Sequence, residues 1–514
     1  MLLAGDIGGT KTVLALFDAQ ESAALIDRHP VLERTFPSQQ YHSLELIIEE
    51  FLADCPHHIS AGSFGVAGPV MGAKARITNL PWEIDAGSLE QELGFKRAGL
   101  INDLQAVAYG ISQLRDEDLF TLHGGRAERT GPVAVIAAGT RPNFVKVAPL
   151  LEAAKAHPGL AVALVHTGQH YDYEMSHSFF EQLGIREPDV FLGAGSGTHG
   201  EQTAKVIEGF EKVVEKIEPE IVVVVGDVNS TLACALAASK VTYAAPVSTG
   251  LRRPLIAHVE SGLRSFDRGM PEEINRTLTD SLSDILFTSC RGAEANLLRE
   301  GVPREKIRFV GNVMIDTLLA RLPEARPPRF LGGAGGGYGL LTLHRPSNVD
   351  EPSVLRGIIE ALCEIAAGIP IFFPAHPRTQ KRIAGFGLGG RLHSLGEGGA
   401  PRERGLQMLD PLPYLEFAAM VKGARIVFTD SGGIQEETTV FGVPCLTLRE
   451  NTERPVTVEV GTNIVVGTSR ERIVREAGKI LRGEVKRGSV PELWDGRAAG
   501  RIMEIVADPP VPGR

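Results

Sequence analysis

Three carboxylates stand where proton-transfer groups are expected. Asp227 follows the apolar run Ile221 to Val225, Glu260 closes the run that begins at Leu255, and Glu272 opens a helix-length segment after Pro271. In an open α/β sheet, ligands gather beyond the carboxyl ends of the strands, and a carboxylate held there can accept or return a proton. Asp227 would equally suit a turn, and Glu272 a helix cap. Asp430-Ser431-Gly432-Gly433 lies between a strand-like and a helix-like segment. Its backbone N–H groups and the helix N-terminus make an anion site. Glu437, a turn and a half beyond Ser431, is within reach of that anion's neighbours. Near the amino terminus, Gly8-Gly9-Thr10-Lys11 joins two apolar runs. Unobstructed N–H groups beside a hydroxyl and a lysine can wrap a phosphate, although a tight hairpin needs the same glycines.

These groups need a scaffold, and the chain supplies one from about residue 133 onward. Short β-rich runs at 133–137, 161–165, 221–225, 255–259, 339–343, 370–373, 425–428 and 444–448 alternate with helical spacing at 145–156, 201–215, 272–282, 353–367 and 470–481. Such alternation predicts parallel sheets covered on both faces by helices. Residues 321–339, rich in Pro and Gly, read as a flexible interruption, 385–401 as a surface loop, and 508–514 as a disordered tail. Residues 1–130 differ: Leu2 to Phe17 reads as two strands joined by a turn, a hairpin and not a strand-to-helix unit.

A chain of 514 residues is about three domains' worth. With 53 Lys+Arg against 63 Asp+Glu, the net charge of -10 argues against a general nucleic-acid or anionic-membrane binder, while leaving room for a local basic pocket. Five scattered cysteines with no Cys-x-x-Cys pair make neither a disulfide framework nor a zinc site. No run of 18 apolar residues occurs, so the expectation is a soluble protein of a reducing, cytoplasmic compartment, without membrane or nucleic-acid partners.

Gly65-Val66-Ala67-Gly68-Pro69-Val70, Thr78-Asn79-Leu80-Pro81-Trp82 and Ile101-Asn102-Asp103-Leu104-Gln105-Ala106 follow the Gly8 turn in order. Together they resemble bacterial glucokinases of the actin-like kinase superfamily. The resemblance implies Asp103 as general base, Asn102 as a sugar contact, and Gly8, Gly9 and Thr10 as the γ-phosphate turn. It stops after Val133 to Thr140, at Arg141-Pro142, with about half a kinase present. ATP and Mg would matter only if that lobe were active. We expect an inert, weakly stable fragment that either exposes apolar surface or packs on the rest of the chain.

A second resemblance begins at Gly139-Thr140-Arg141-Pro142-Asn143-Phe144-Val145-Lys146. It continues through Thr167-Gly168-Gln169-His170, Gly226-Asp227-Val228-Asn229-Ser230-Thr231, His258 to Arg264, Pro271 to Arg276, Leu343-His344-Arg345-Pro346, Pro374-Ala375-His376-Pro377, Thr429 to Glu437 and Thr452-Glu453-Arg454-Pro455. In order over some 370 residues, these resemble UDP-N-acetylglucosamine 2-epimerases of the non-hydrolysing type. The implied reaction interconverts UDP-N-acetylglucosamine and UDP-N-acetylmannosamine by elimination to UDP and a 2-acetamidoglycal, then re-addition, with no cofactor required. Asp227, Glu260, Glu272 and His344 become the catalytic candidates. Arg141, Lys146, Arg276, His376, Ser431, Gly432, Gly433, Glu437 and Arg454 become the substrate-binding set, with Glu437 toward the ribose. The family pattern departs at Asn143 and Ser347, where Glu is common, and at Tyr171-Asp172.

The expected fold class is therefore α/β: a partial actin-like kinase lobe (1–131), then two Rossmann-like domains of glycosyltransferase-B architecture (132–310 and 311–495), and a C-terminal helix and tail (496–514). The implied partners are a UDP-sugar and a second copy in a homodimer. A glycosyltransferase of this architecture would keep the diphosphate site, but the Asp227, Glu260, Glu272 set with His344 argues against it. Residual glucokinase activity, a purely structural role for the fragment and a related UDP-acetamido sugar are the other readings. The join falls where both families carry an apolar strand followed by Gly and Thr, a segment at which recombination or sequence assembly could splice two genes.

Overall fold

The protein is described from a computed structural model covering residues 1–18, 30–53, 55, 59–68, 70–71, 73–77, 80–102, 106, 132–138, 141–168, 180, 182–195, 197–333, 337–395 and 399–509. The chain forms two compact units, 1–127 and 128–514.

In the first unit, β1 (Leu2–Ile7) and β2 (Lys11–Phe17) form the anticipated hairpin, with Ile7 opposite Thr12. β3 (Leu32–Pro37), β4 (Ala61–Val66) and β8 (Arg97–Asn102) complete a sheet of order β3-β2-β1-β4-β8. β5 (Val70–Met71), β6 (Lys74–Arg76) and β7 (Glu83–Asp85) make a small antiparallel sheet. Alternation along the strands puts Leu3, Ile7, Leu14, Leu16 and Phe64 on one face. They pack with Ile47, Ile48 and Phe51 of the Leu44–Ala53 helix into a core of the unit's own.

The second unit holds two seven-stranded parallel sheets. The first has the order β11-β10-β9-β12-β13-β14-β15, from β9 (Val133–Ala138), β10 (Ala161–His166), β11 (Val190–Phe191), β12 (Ile221–Val225), β13 (Leu255–Ser261), β14 (Ile285–Thr288) and β15 (Ile307–Phe309). The second has the order β18-β19-β17-β16-β20-β21-β22, from β16 (Gly339–Thr342), β17 (Pro370–Pro374), β18 (His393–Ser394), β19 (Gly405–Leu409), β20 (Ile426–Thr429), β21 (Cys445–Thr447) and β22 (Asn463–Val465). β12, β13, β14, β20 and β21 are buried along their whole length, because helices cover both faces. The predicted strands and helices all occur, with ends shifted by a few residues.

Two expectations change. Residues 321–333 are not an unstructured interruption: they form 3-10 turns at Leu322–Glu324 and Arg329–Gly333, and the Phe330 ring sits 5.4 Å from that of Phe372. The 385–401 loop likewise contains a 3-10 turn and β18. At the far end, the Ala498–Ala507 helix returns to the first sheet, burying Ile502, Met503 and Val506 beside Leu150 and Ala154. Asp316 caps that helix by accepting from Ala499 N (2.7 Å). Among the described residues, no helix is long and apolar enough to cross a membrane.

Candidate active site

The candidate residues converge beyond the carboxyl ends of both parallel sheets, where strand order reverses between β9 and β12 and between β16 and β20. On the first sheet, Asp227 follows β12 on a turn that Gly226 enters at φ 74°. Its Oδ2 accepts from Arg276 Nη2 (2.6 Å) and Nε (3.0 Å), and Arg276 is held from behind by Glu273 (2.7 Å). Glu260 also has a positive φ, 74°, at a register shift between β13 and β14. A non-glycine residue held there is strained, and a bulge is a common way to re-aim a side chain. Its buried carboxylate contacts Lys146 of the Arg141–Ala154 helix and Arg454 from the second sheet's side. Burial alone would raise the Glu260 carboxyl, but Arg454 and Lys146 hold it below its ordinary range. Burial likewise opposes ionisation of Asp227, and Arg276 with Lys146 and Arg454 overrides it, leaving the carboxyl far below its ordinary range.

On the second sheet, the buried Asp430 carboxylate turns inward. It accepts from His344 N (3.0 Å) and Arg345 N (2.9 Å), and lies 2.8 Å from His344 Nδ1. Burial would raise it, and His344 and these N–H groups hold it down. Asp430 thus pins the His344 loop across the switch point instead of facing an anion itself. Ser431 stands at the N-cap of the Gly432–Phe441 helix with no capping bond from its side chain. A Cβ on Gly432 would come 2.7 Å from Glu453 Oε1, so the glycine leaves room for the Glu453 carboxylate, from the loop after β21, beside the helix start. Glu453, bound by Arg449 (2.7 Å) and Arg345 (3.3 Å), sits at about 2 despite burial. Glu437 is buried, with Tyr414 Oη 3.4 Å from Oε1 and no hydrogen bond to Oε2 among the described residues. Burial pushes its carboxyl up to about 8.

Arg454 is the bridge between the sheets: it contacts Glu260 on one side and Glu436 Oε1 (3.0 Å) on the other. Asp227, Glu260, Lys146, Arg276 and Arg454 therefore form one charged cluster. Glu272, in the first turn of the Pro271–Leu282 helix, is half-buried and takes no hydrogen bond or ion pair among the described residues. The helical register sends its neighbour Glu273 inward to cap Ser265 N (3.0 Å) and Phe266 N (2.8 Å). His376 caps the Pro377–Gly385 helix by accepting from Arg378 N (3.3 Å). Arg141 opens its helix, but its side chain lies outside the described residues, as do Gln169, His170, Tyr171 and Asp172. Asn143, at the position of the missing Glu, is buried and donates to Val225 O (2.9 Å). Sequence reasoning missed Glu436, Glu453, Glu273 and Tyr414. The adjacent acidic pairs Glu272-Glu273 and Glu436-Glu437 were the available signal.

In the first unit, Gly8, Gly9 and Thr10 form the β1–β2 turn, closed by Gly8 N to Lys11 O (3.0 Å). Ser38 Oγ donates to Gly8 O (2.8 Å). Asn102 ends β8 and donates to Gly68 O (3.0 Å), while Asp103 lies outside the described residues.

A glucokinase family profile matches residues 3–141, and the profile described as UDP-N-acetylglucosamine 2-epimerase matches residues 152–507. The chain belongs to the UDP-N-acetylglucosamine 2-epimerase family. It is 42% identical over 376 residues to the UDP-N-acetylglucosamine 2-epimerase of Methanocaldococcus jannaschii, covering 72% of this chain and 97% of that one. It is also 42% identical over 372 residues to the UDP-2,3-diacetamido-2,3-dideoxy-D-glucuronate 2-epimerase of Pseudomonas aeruginosa, covering 72% and 98%. The crystal structure of the M. jannaschii epimerase in complex with UDP-GlcNAc and UDP superposes with TM-score 0.63 at 41% identity, over 73% of this chain and 99% of that one. The two parallel sheets are thus the glycosyltransferase-B-like body of an epimerase, preceded by a glucokinase fragment.

Proposed function

We propose that the epimerase body interconverts UDP-N-acetylglucosamine and UDP-N-acetylmannosamine by loss and re-addition of UDP. The observation that carries this reading is Glu260, fixed on a strained bulge between Lys146 and Arg454, with the Asp227–Arg276 pair beside it. Both carboxylates are held ionised at neutral pH, the state a base needs. One of them takes the C2 proton. The electrons of the C–H bond form a C1–C2 double bond, and the C1–O bond breaks with its pair leaving on UDP. The Ser431-Gly432-Gly433 helix start, Arg276 and His344 steady the departing diphosphate. A protonated member of the Asp227, Glu260, Glu272 set then returns a proton to the opposite face of C2 as UDP adds back to C1. These steps are proton transfer and C–O cleavage and call for no metal or nicotinamide. The ribose hydroxyls donate to Glu437. The protein works as a cytoplasmic homodimer.

In deuterated water, the product should carry one deuterium at C2, and product without that label would sink the mechanism. Asp227→Asn, Glu260→Gln and Glu272→Gln should each lower turnover by about 10²-fold or more. A second reading, action on a UDP-diacetamido uronate, is favoured by the equal 42% identity to the P. aeruginosa relative. Side-by-side kcat/KM values on the two sugars separate them. We further propose that the kinase fragment is inert. Phosphoryl transfer is nearly all positioning and electrostatics, and the glucokinase match ends at residue 141.

A further inference from the structure

His258 is fully buried in β13, two residues before Glu260. One ring nitrogen, Nε2, lies 2.8 Å from Gly226 O, immediately before Asp227. The other, Nδ1, lies 2.6 Å from Asp280 Oδ1. A carbonyl oxygen can only accept, so Nε2 carries a proton and donates. Asp280 is fixed as an acceptor by its other contacts: Oδ2 accepts from Gly262 N (3.0 Å), two residues after Glu260, and pairs with Arg264 Nη2 (2.7 Å). Arg264 is in turn clamped by Glu300 (2.6 Å). Gly226 N also donates to Val259 O (3.0 Å). Two side chains therefore tie the loop of Asp227 to the bulge of Glu260.

The third carboxylate belongs to the same frame. Glu272, Arg276 and Asp280 are spaced four residues apart on the Pro271–Leu282 helix and so share one face. The stripe carries a candidate acid, the cation that holds Asp227, and the anchor that holds His258. Packing alone does not call for this arrangement. Removing charged partners from water is costly, and well-packed apolar residues of similar volume are often neutral or stabilising in their place. A buried imidazole between apolar strand residues, and the buried carboxylate that meets it from the helix, thus need another reason to be there.

We infer that His258 and Asp280 are positioning residues that hold Asp227, Glu260 and Glu272 at the separations the reaction needs. The inference rests on the proposed acid/base roles of those three carboxylates. Displacing reacting groups by about 1 Å can cost about 10²-fold in rate. Loss of either member should lower kcat with little effect on nucleotide binding, because apart from Arg276 the proposed UDP contacts, the Ser431-Gly432-Gly433 helix start, His344 and Glu437, lie on the other sheet.

The test uses the full chain with His258→Ala, His258→Gln and Asp280→Asn, and with Asp284→Asn as a control. Asp284 holds the opposite end of β13, accepting from Ile256 N (3.0 Å) and binding Arg253 (2.7 Å). It reports the cost of loosening the strand away from the site. We expect His258→Ala and Asp280→Asn to lose about 10- to 100-fold in kcat, with KM and the Kd for UDP within about twofold. His258→Gln, which keeps a donor for Gly226 O, should recover part of the loss. Asp284→Asn should lower Tm and keep kcat. The inference is overturned if His258→Ala and Asp280→Asn lower Tm as the control does yet keep kcat, or if KM and Kd rise in step with the loss. Should His258→Ala fail to fold, Asp280→Asn and His258→Gln decide. If Asp227→Asn and Glu260→Gln keep normal turnover, the acid/base reading itself falls. If those two fail while the His258 and Asp280 variants turn over normally, only the positioning role falls.

Discussion

Binding of UDP should expel a proton, and Glu437 should be its source. Burial lifts this carboxyl from 4.5 to about 8, with Glu436 adding to the rise and the Tyr414 hydroxyl only partly opposing it. Ionising it in the empty pocket therefore costs about 5 kcal/mol more than ionising a solvated carboxyl, at about 1.4 kcal/mol per tenfold change. At pH 7.5 roughly three-quarters of the empty sites hold the proton. Ribose hydroxyls donating to both oxygens favour the carboxylate, so binding should release up to roughly 0.7 proton per site. The terminal phosphate of UDP, with a second pKa near 6, is already ionised and adds little. Calorimetric titration of UDP in phosphate and in Tris at pH 7.5 reads the release as a buffer-dependent enthalpy, which Glu437→Gln should abolish. The same group shapes stability of the empty protein. The folded state keeps the proton that the unfolded chain gives up, so stability falls as pH rises from 4.5 through 8, by up to about 5 kcal/mol. Glu437→Gln should flatten that fall. Equal binding enthalpies in the two buffers, or unchanged proton release in Glu437→Gln, would refute the reasoning.

Asp316, pushed up to about 6 by burial that outweighs the opposing N–H groups of Ala499 and Ala498, should cost stability as pH rises from 3.8 through 6. Urea unfolding at pH 4 and 7 should show Asp316→Asn flattening that loss, and Asp316→Ala should lose about 1 kcal/mol more at pH 4 through the missing cap. A coupled assay should find no ATP-dependent glucose 6-phosphate, and a rate that vanishes in Asp103→Ala would restore a working kinase. Deleting residues 1–130 should leave epimerase turnover within a few-fold, and loss of a soluble dimer would instead make the fragment a structural part.

Much of the fold was legible because its strands announce themselves. Ile221 to Val225 is a continuous β-branched run of the kind a strand buried on both faces requires. The strands that escaped notice are short or mixed: β15 has an Arg at its centre, and β22 begins with a buried Asn463 bonded to Thr447 Oγ1 (2.7 Å). Of the site, the strand-end positions could be read but the direction of each side chain could not. Asp430 belongs to an anion-binding turn by sequence, yet its carboxylate serves N–H groups 85 and 86 residues away. Which of Glu272 and Glu273 turns inward depends on a rotation of one residue about the helix axis, and spacing alone leaves that open. The Glu260 bulge has no signature in Leu255 to Ser261. It shows only in the backbone.

β9 lies within the glucokinase match, yet its hydrogen bonds run to β10 on one edge and β12 on the other. Residues 133–138 are thus an interior strand of the epimerase sheet, third in a row of seven, and a gene trimmed at the end of the kinase match would remove a strand at which the sheet's order reverses. Because every strand of the sheet is parallel, the chain enters β9 at the pole opposite the candidate site. The place to cut, tag or graft a passenger is therefore ahead of Pro132. An edit a few residues later would leave β10 and β12 without a neighbour between them, and two exposed edges are an invitation to aggregate.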